Sequence, residues 1–139
     1  DNFDVETSHV FPALIRKFHN AVKHDREEVI LWGDGTPKRE FMHVDDLAEA
    51  SLFLMNNYDS PKIINIGTGE DTAISEFAEM VKNITGFEGE IVWDTSKPNG
   101  TPRKLLDVGK LKNLGWRYKI TLPAGIKMTY EWLIKNYPA

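Results

Sequence analysis

The chain is predicted to be an α/β protein, and three observations carry that prediction. Short β-branched runs, VILW (29–32), IINIG (63–67) and EIVWD (90–94), alternate with segments of helical period. Glycine and proline cluster at the joints between those segments. With 41% hydrophobic and 27% charged residues, the composition is that of an ordinary globular chain.

Each element has its own warrant. The start, DNFDVETSH, is acidic and polar and reads as a loop. Val10, Leu14, Phe18, Ala21 and Val22 then recur at helical spacing. Ser8 is the expected N-cap, and Pro12 falls in the first turn, where its missing N–H costs least. VILW reads as a strand, GDGTPKR (33–39) as turn chemistry and EFMHV (40–44) as a short extended piece. Asp45 is the expected N-cap of a helix with Leu47, Ala50, Ser51, Leu54 and Tyr58 on one face. IINIG reads as a buried strand. Phe77, Val81 and Ile84 share the face of a further helix that stops at Gly86. EIVWD is a strand, and TSKPNGTPRK (95–104) is a second loop rich in Gly, Pro and cations. VGKLKNLG is a short helix ending at Gly115. A last helix has Pro123 near its start and Ile126, Tyr130, Leu133 and Tyr137 in line. No linker or low-complexity segment divides residues 1–139, so a single domain is expected. Its strands are fewer and shorter than a complete doubly wound sheet needs.

Charge and composition remove several function classes. The 17 basic and 21 acidic side chains leave a formal charge of -4, without the basic excess that nucleic-acid binding wants. No apolar run approaches the roughly 20 residues of a membrane span, so no membrane role is expected. There is no cysteine, which excludes disulfides and thiol chemistry on this chain and fits a reducing compartment. The N-terminal stretch lacks the pattern of a signal peptide.

The chemistry concentrates in two places. GDGTPKR and NGTPRK share the core G-T-P-[KR]-[KR], which pairs Lys38-Arg39 with Arg103-Lys104. Two such loops closing on one polyanion would offer guanidinium forks, mobile ammonium charges and glycines that let backbone N–H groups approach. Solvated cations on two exposed turns fit the same residues. Trp32, at the end of a strand, reads first as core and otherwise as a flat face for a base or sugar. His9, beside the first helix's N-terminus, is a candidate proton donor or acceptor near neutral pH, or else a surface histidine. Asp45-Asp46 read as an N-cap and a neighbour favoured by the helix dipole, rather than an acid/base or metal pair. His19, His24 and His43 have no metal-ligand spacing. IGTGED (66–71) puts Thr72 where a dinucleotide fingerprint needs glycine, so it reads as a structural turn.

Taken together, DNF (1–3), SHVFPALIRKFH (8–19), WGDGTPKREFMHVDDLAEAS (32–51), INIGTGED (64–71) and SKPNGTPRKLLD (96–107) resemble the C-terminal half of the GDP-L-fucose synthase family. These are extended short-chain dehydrogenases/reductases that epimerise GDP-4-keto-6-deoxymannose at C3 and C5 and then reduce the 4-keto group with NADPH. The resemblance implies the substrate-binding part of a two-part enzyme, without its N-terminal Rossmann half. It implies His9 as a general acid in epimerisation. It implies Arg39 at the GDP diphosphate and Lys104 near the nucleotide too; Arg103, next to Lys104, joins them as a candidate substrate-binding residue. Lys17, with Arg16 next to it, falls where the family has a basic substrate-binding residue, and Trp32 matches a tryptophan of the substrate pocket. The family's Gly-rich NADP loop, catalytic serine, Tyr-x-x-x-Lys pair and epimerisation cysteine are expected to be missing.

The expected partners are a GDP-sugar and either a second copy of the chain or a Rossmann half, in the cytoplasm. Catalysis by the chain alone is not expected, since NADP(H) would be held elsewhere. A non-catalytic nucleotide-sugar-binding module, the matching half of another sugar-nucleotide epimerase or dehydratase, and a complementing interaction unit are the alternatives. A missing half should leave apolar surface uncovered near IINIG and the helix beginning at Asp45.

Overall fold

The computed structural model describes residues 2–4 and 7–137, so the loop expected over 1–9 is described in part only. The elements are α1 (Val10–Lys23), β1 (Glu28–Trp32), β2 (Lys38–Arg39), α2 (Val44–Asn57), β3 (Thr72–Ala73), α3 (Ile74–Thr85), β4 (Glu90–Asp94), β5 (Arg103–Lys104), α4 (Gly109–Asn113) and α5 (Leu122–Asn136). Strands β1 and β4 form a parallel pair. A second, three-stranded sheet has the order β3-β2-β5. The fold is α/β, as the alternating pattern predicts.

The main core forms where apolar stripes meet. Leu14, Ile15, Phe18 and Ala21 line the inner face of α1 and pack with Phe77, Ala78 and Val81 of α3 and Ile126 and Leu133 of α5. Strand β1 alternates, with Val29 and Leu31 buried and Glu28, Ile30 and Trp32 outside. Phe41 stacks on Phe77 with ring centroids 4.6 Å apart, and Phe11 lies 5.5 Å from Phe41. That aromatic group pins the chain just after β2 onto α3. A smaller cluster of Ala50, Leu111 and Trp116 lies under α2 and α4, with Met42, Phe53, Leu54, Ile64 and Ile66 around it.

Several local expectations are corrected. His9, not Ser8, is the N-cap of α1. His43, not Asp45, caps α2: its Nδ1 accepts the Asp45 N–H at 3.2 Å. Asp46 is instead buried, and its carboxylate accepts the N–H groups of Lys119 (3.1 Å) and Ile120 (2.9 Å), tying α2 to the segment before α5. The inner face of α2 therefore runs through Asp46, Ala50, Phe53 and Leu54, leaving Leu47 and Ser51 exposed. Val22 and Tyr137, expected in their helices' apolar stripes, are also exposed. IINIG is no strand among the described residues. Ile64 and Ile66 pack into the smaller cluster, and Ile63 points outward at 84% exposure. A β-branched run becomes a strand only where a neighbouring strand can pair with it.

The expected uncovered apolar surface is present: Val44, Leu47, Leu52 and Met55 of α2 are exposed along with Ile63. Among the described residues no helix is long and apolar enough to cross a membrane.

Candidate functional site: a paired basic ribbon

The site is built on the two G-T-P loops. Strand β2 pairs in parallel with β5, in the register Lys38 with Arg103 and Arg39 with Lys104. The two copies of the motif thus run side by side, residue for residue. Lys38 donates its N–H to the Pro102 carbonyl at 2.8 Å, which starts the ladder.

The approach to β2 is rigidly tied. Gly33 and Gly35 have φ of 81° and 76°, a region that L side chains rarely adopt. A Cβ on Gly35 would lie 2.7 Å from the Trp93 ring. The Asp34 carboxylate accepts the Thr36 N–H (2.9 Å) and hydroxyl (2.7 Å), closing an Asx turn. Those bonds, the Thr36 hydroxyl first, hold the Asp34 carboxyl below its ordinary range. The Asp34 N–H donates to Asn99 Oδ1 at 2.8 Å, joining the first loop to the second. The carbonyls of Gly35 and Pro37 each accept an N–H from the first turn of α3, at 2.9 Å. They satisfy two donors that a helix start would otherwise leave unpaired.

Register decides which cations share a face. Partners in a ladder project to the same side, so Arg39 and Lys104 point one way and Lys38 and Arg103 the other. On the second face Arg103 is ion-paired with Asp71. The hydrogen bond from Arg103 is the main cause holding the Asp71 carboxyl below its usual range, and the same bond raises the Arg103 pKa. Among the described residues neither Arg39 nor Lys104 has an ion-pair partner. Arg39 Nη1 is hydrogen-bonded to the Lys38 carbonyl at 2.7 Å, and Nη2 lies beside Gly100. One face of the ribbon has its guanidinium paired with a carboxylate, and on the other neither cation is paired.

Trp32 is 65% exposed, against the core reading, because strand alternation puts it outside. Lys97 Nζ lies 5.8 Å from the centroid of its ring. The 95–102 loop therefore touches Trp32 at Lys97, the first turn at Asn99 and Arg39 at Gly100. Lys17 Nζ donates to the Ile30 carbonyl at 3.2 Å, two residues before Trp32, and burial lowers its pKa. Arg16 is partly buried with its Nε lacking a hydrogen bond. His9 stands at the far end of α1, about 12 Å of helix from Lys17. The structure thus gathers Trp32, Arg39 and Lys104 around the two loops, ties Lys17 to β1, turns Arg103 to the opposite face and sets His9 at a helix start.

The 66–71 turn is filled from within. A Cβ on Gly67 would lie 2.3 Å from Glu40 Oε1, and the Gly69 N–H donates to that same oxygen at 2.8 Å. Those groups are spent on a side chain, so this turn does not fit a cofactor pyrophosphate. The Tyr-x-x-x-Lys spacing, expected to be missing, does occur once, at Tyr58–Lys62. It lies at the end of α2, where the Tyr58 hydroxyl donates to the Lys62 carbonyl at 2.7 Å. Among the described residues no group of three or more His, Cys, Asp or Glu could hold a metal ion. Glu40, Asn99 and Asp71 were not singled out from the sequence. Their partners lie 28 to 66 residues away, beyond any local pattern.

Comparison with known proteins agrees with the fold. The NAD dependent epimerase/dehydratase family matches residues 2–67. The chain is 53% identical over 136 residues to GDP-L-fucose synthase 1 of Arabidopsis thaliana, covering 98% of this chain and 42% of that protein. It is 47% identical over 145 residues to GDP-L-fucose synthase of Escherichia coli (strain K12), covering 98% of this chain and 45% of that protein. A crystal structure of a GDP-L-fucose synthetase from Naegleria fowleri bound to NADP superposes with a TM-score of 0.92 at 32% identity, covering 100% of this chain and 44% of that one. The chain spans less than half the length of the relatives it matches. Nearly the whole chain is thus similar in sequence and fold to part of a GDP-L-fucose synthase, and its first half carries the match to the NAD dependent epimerase/dehydratase family.

Proposed function

We propose that the chain is the GDP-sugar-binding part of an NADPH-dependent GDP-L-fucose synthase, and that the Arg39/Lys104 face of the ribbon holds the substrate's diphosphate. The observation that carries the reading is the register of β2 and β5, which puts these two unpaired cations side by side. Arg39 would supply a fork of donors to one phosphate and Lys104 a mobile charge to the other. Trp32 offers an exposed ring next to the same loop, and Lys17 with Arg16 extends the basic surface from α1. Arg103 serves through its lock on Asp71, which ties β5 across β2 to the residue before β3.

In this reading His9 donates the proton that completes epimerisation beside the keto group, and a bound nicotinamide supplies hydride for the 4-keto reduction. In this reading the nicotinamide cofactor is held outside this chain, which alone is expected to show no NADPH oxidation with the keto-sugar. Supporting a partner, the exposed apolar side of α2 and Ile63 offers a surface for a Rossmann half or a second copy.

Titration calorimetry with GDP, GDP-mannose and UDP-glucose tests the clamp. GDP and GDP-mannose are expected to bind, and Arg39→Ala to weaken both by roughly tenfold or more. Unchanged affinity in Arg39→Ala would remove the diphosphate from this face. No binding of any nucleotide would favour a complementing interaction unit instead.

A further inference from the structure

A ladder of two residues per strand is a weak frame for a site that depends on the spacing of two cations. The structure shows what reinforces it. Glu40, the residue after Arg39, is half-buried and sends its carboxylate across the end of the ribbon. Oε2 accepts the N–H of Leu106, two residues beyond Lys104, at 2.9 Å. Oε1 accepts the Gly69 N–H at 2.8 Å and the Thr68 hydroxyl at 3.3 Å. One carboxylate therefore ties the exit of β2 to the exit of β5 and both to the 67–69 turn.

The surroundings are shaped to this carboxylate. Gly67 leaves the space that a Cβ would take from Oε1. Phe41, next in sequence, is stacked on Phe77, so the backbone carrying Glu40 cannot drift from α3. Among the described residues Glu40 pairs with no cation. Its charge is met by N–H and O–H dipoles, which are short of a full counter-charge and leave the charges of Arg39 and Lys104 available.

We propose that Glu40 is the positioning residue of the diphosphate clamp: by holding Leu106 and Gly69 it fixes the distance between Arg39 and Lys104. This rests on the clamp reading above and adds to it a source of selectivity. A nucleoside diphosphate engages both cations at once and feels their spacing. A nucleoside monophosphate needs one of them and does not.

The test compares GDP with GMP by calorimetry in the wild-type chain, Glu40→Gln and Arg39→Ala. Glu40→Gln keeps the size but turns one acceptor oxygen into an NH2 group facing an N–H. GDP affinity is expected to fall roughly tenfold and GMP affinity much less, so that the preference for GDP collapses. A general loss of structure would lower both alike. If Glu40→Gln does not fold, Thr68→Val decides: it removes the weakest of the carboxylate's bonds and should lose part of the same preference. An unchanged GDP/GMP ratio in a folded Glu40→Gln, or in Thr68→Val where the first does not fold, overturns the proposal. If Arg39→Ala still weakens GDP, the clamp survives that result. If Arg39→Ala leaves GDP binding intact, the clamp falls and this proposal with it.

Discussion

Helices α2 and α3 are alike in length and mean hydropathy, but the apolar residues of α3 gather on one face far more sharply, and the two behave differently in the fold. α3 buries Phe77, Ala78 and Val81 completely between α1 and α5. α2, of similar length and mean hydropathy, buries only Ala50 and the carboxylate of Asp46 to that degree, and exposes Val44, Leu47, Leu52 and Met55. α3 finds its complement inside this chain. α2 is held at its N-terminus by Asp46 and by the small cluster around Trp116, while its other side is exposed. An apolar stripe shows that a helix must be covered somewhere, and not by what.

Three variants test that contrast. Phe77→Ala removes a fully buried ring at the junction of α1, α3 and Phe41, and should cost about 3–5 kcal/mol in chemical denaturation. Asp46→Ala leaves the Lys119 and Ile120 N–H groups without their acceptor, and should cost about 1–3 kcal/mol by the same measurement. The paired change Leu52→Lys and Met55→Lys should move stability by no more than about 0.5 kcal/mol per site. That pair should, however, reduce self-association in sedimentation velocity if the exposed side of α2 is a contact surface. A loss of stability rivalling Phe77→Ala would mean that α2 is already covered from within, and the contrast would fail.

Much of the architecture was legible because it rests on local periodicity. The spacing of Leu14 and Phe18 in α1, and of Phe77 and Val81 in α3, survives intact in the fold. IINIG was misread because composition marks a run as fit for a strand without supplying its partner. The helix caps were misread because serine and aspartate are the usual caps, while at α2 an imidazole takes the role expected of Asp45 and the next carboxylate, Asp46, holds a distant pair of amides. Trp32 was misplaced because a tryptophan beside a strand is usually core, and only the parity of β1 put it outside.

The amino-acid sequence by itself determined the helices, the two strands β1 and β4, the two glycine-proline turns and the presence of two basic pairs. Those features follow from side-chain period and backbone preference within a few residues. Tertiary structure alone decided that the two turns lie edge to edge, that Arg39 and Lys104 share a face while Arg103 turns to Asp71, and that Glu40 bridges the ends. Those outcomes depend on register between segments 65 residues apart. A shift of one residue would move Lys104 to the other face and separate it from Arg39, and packing rather than local preference selects the register.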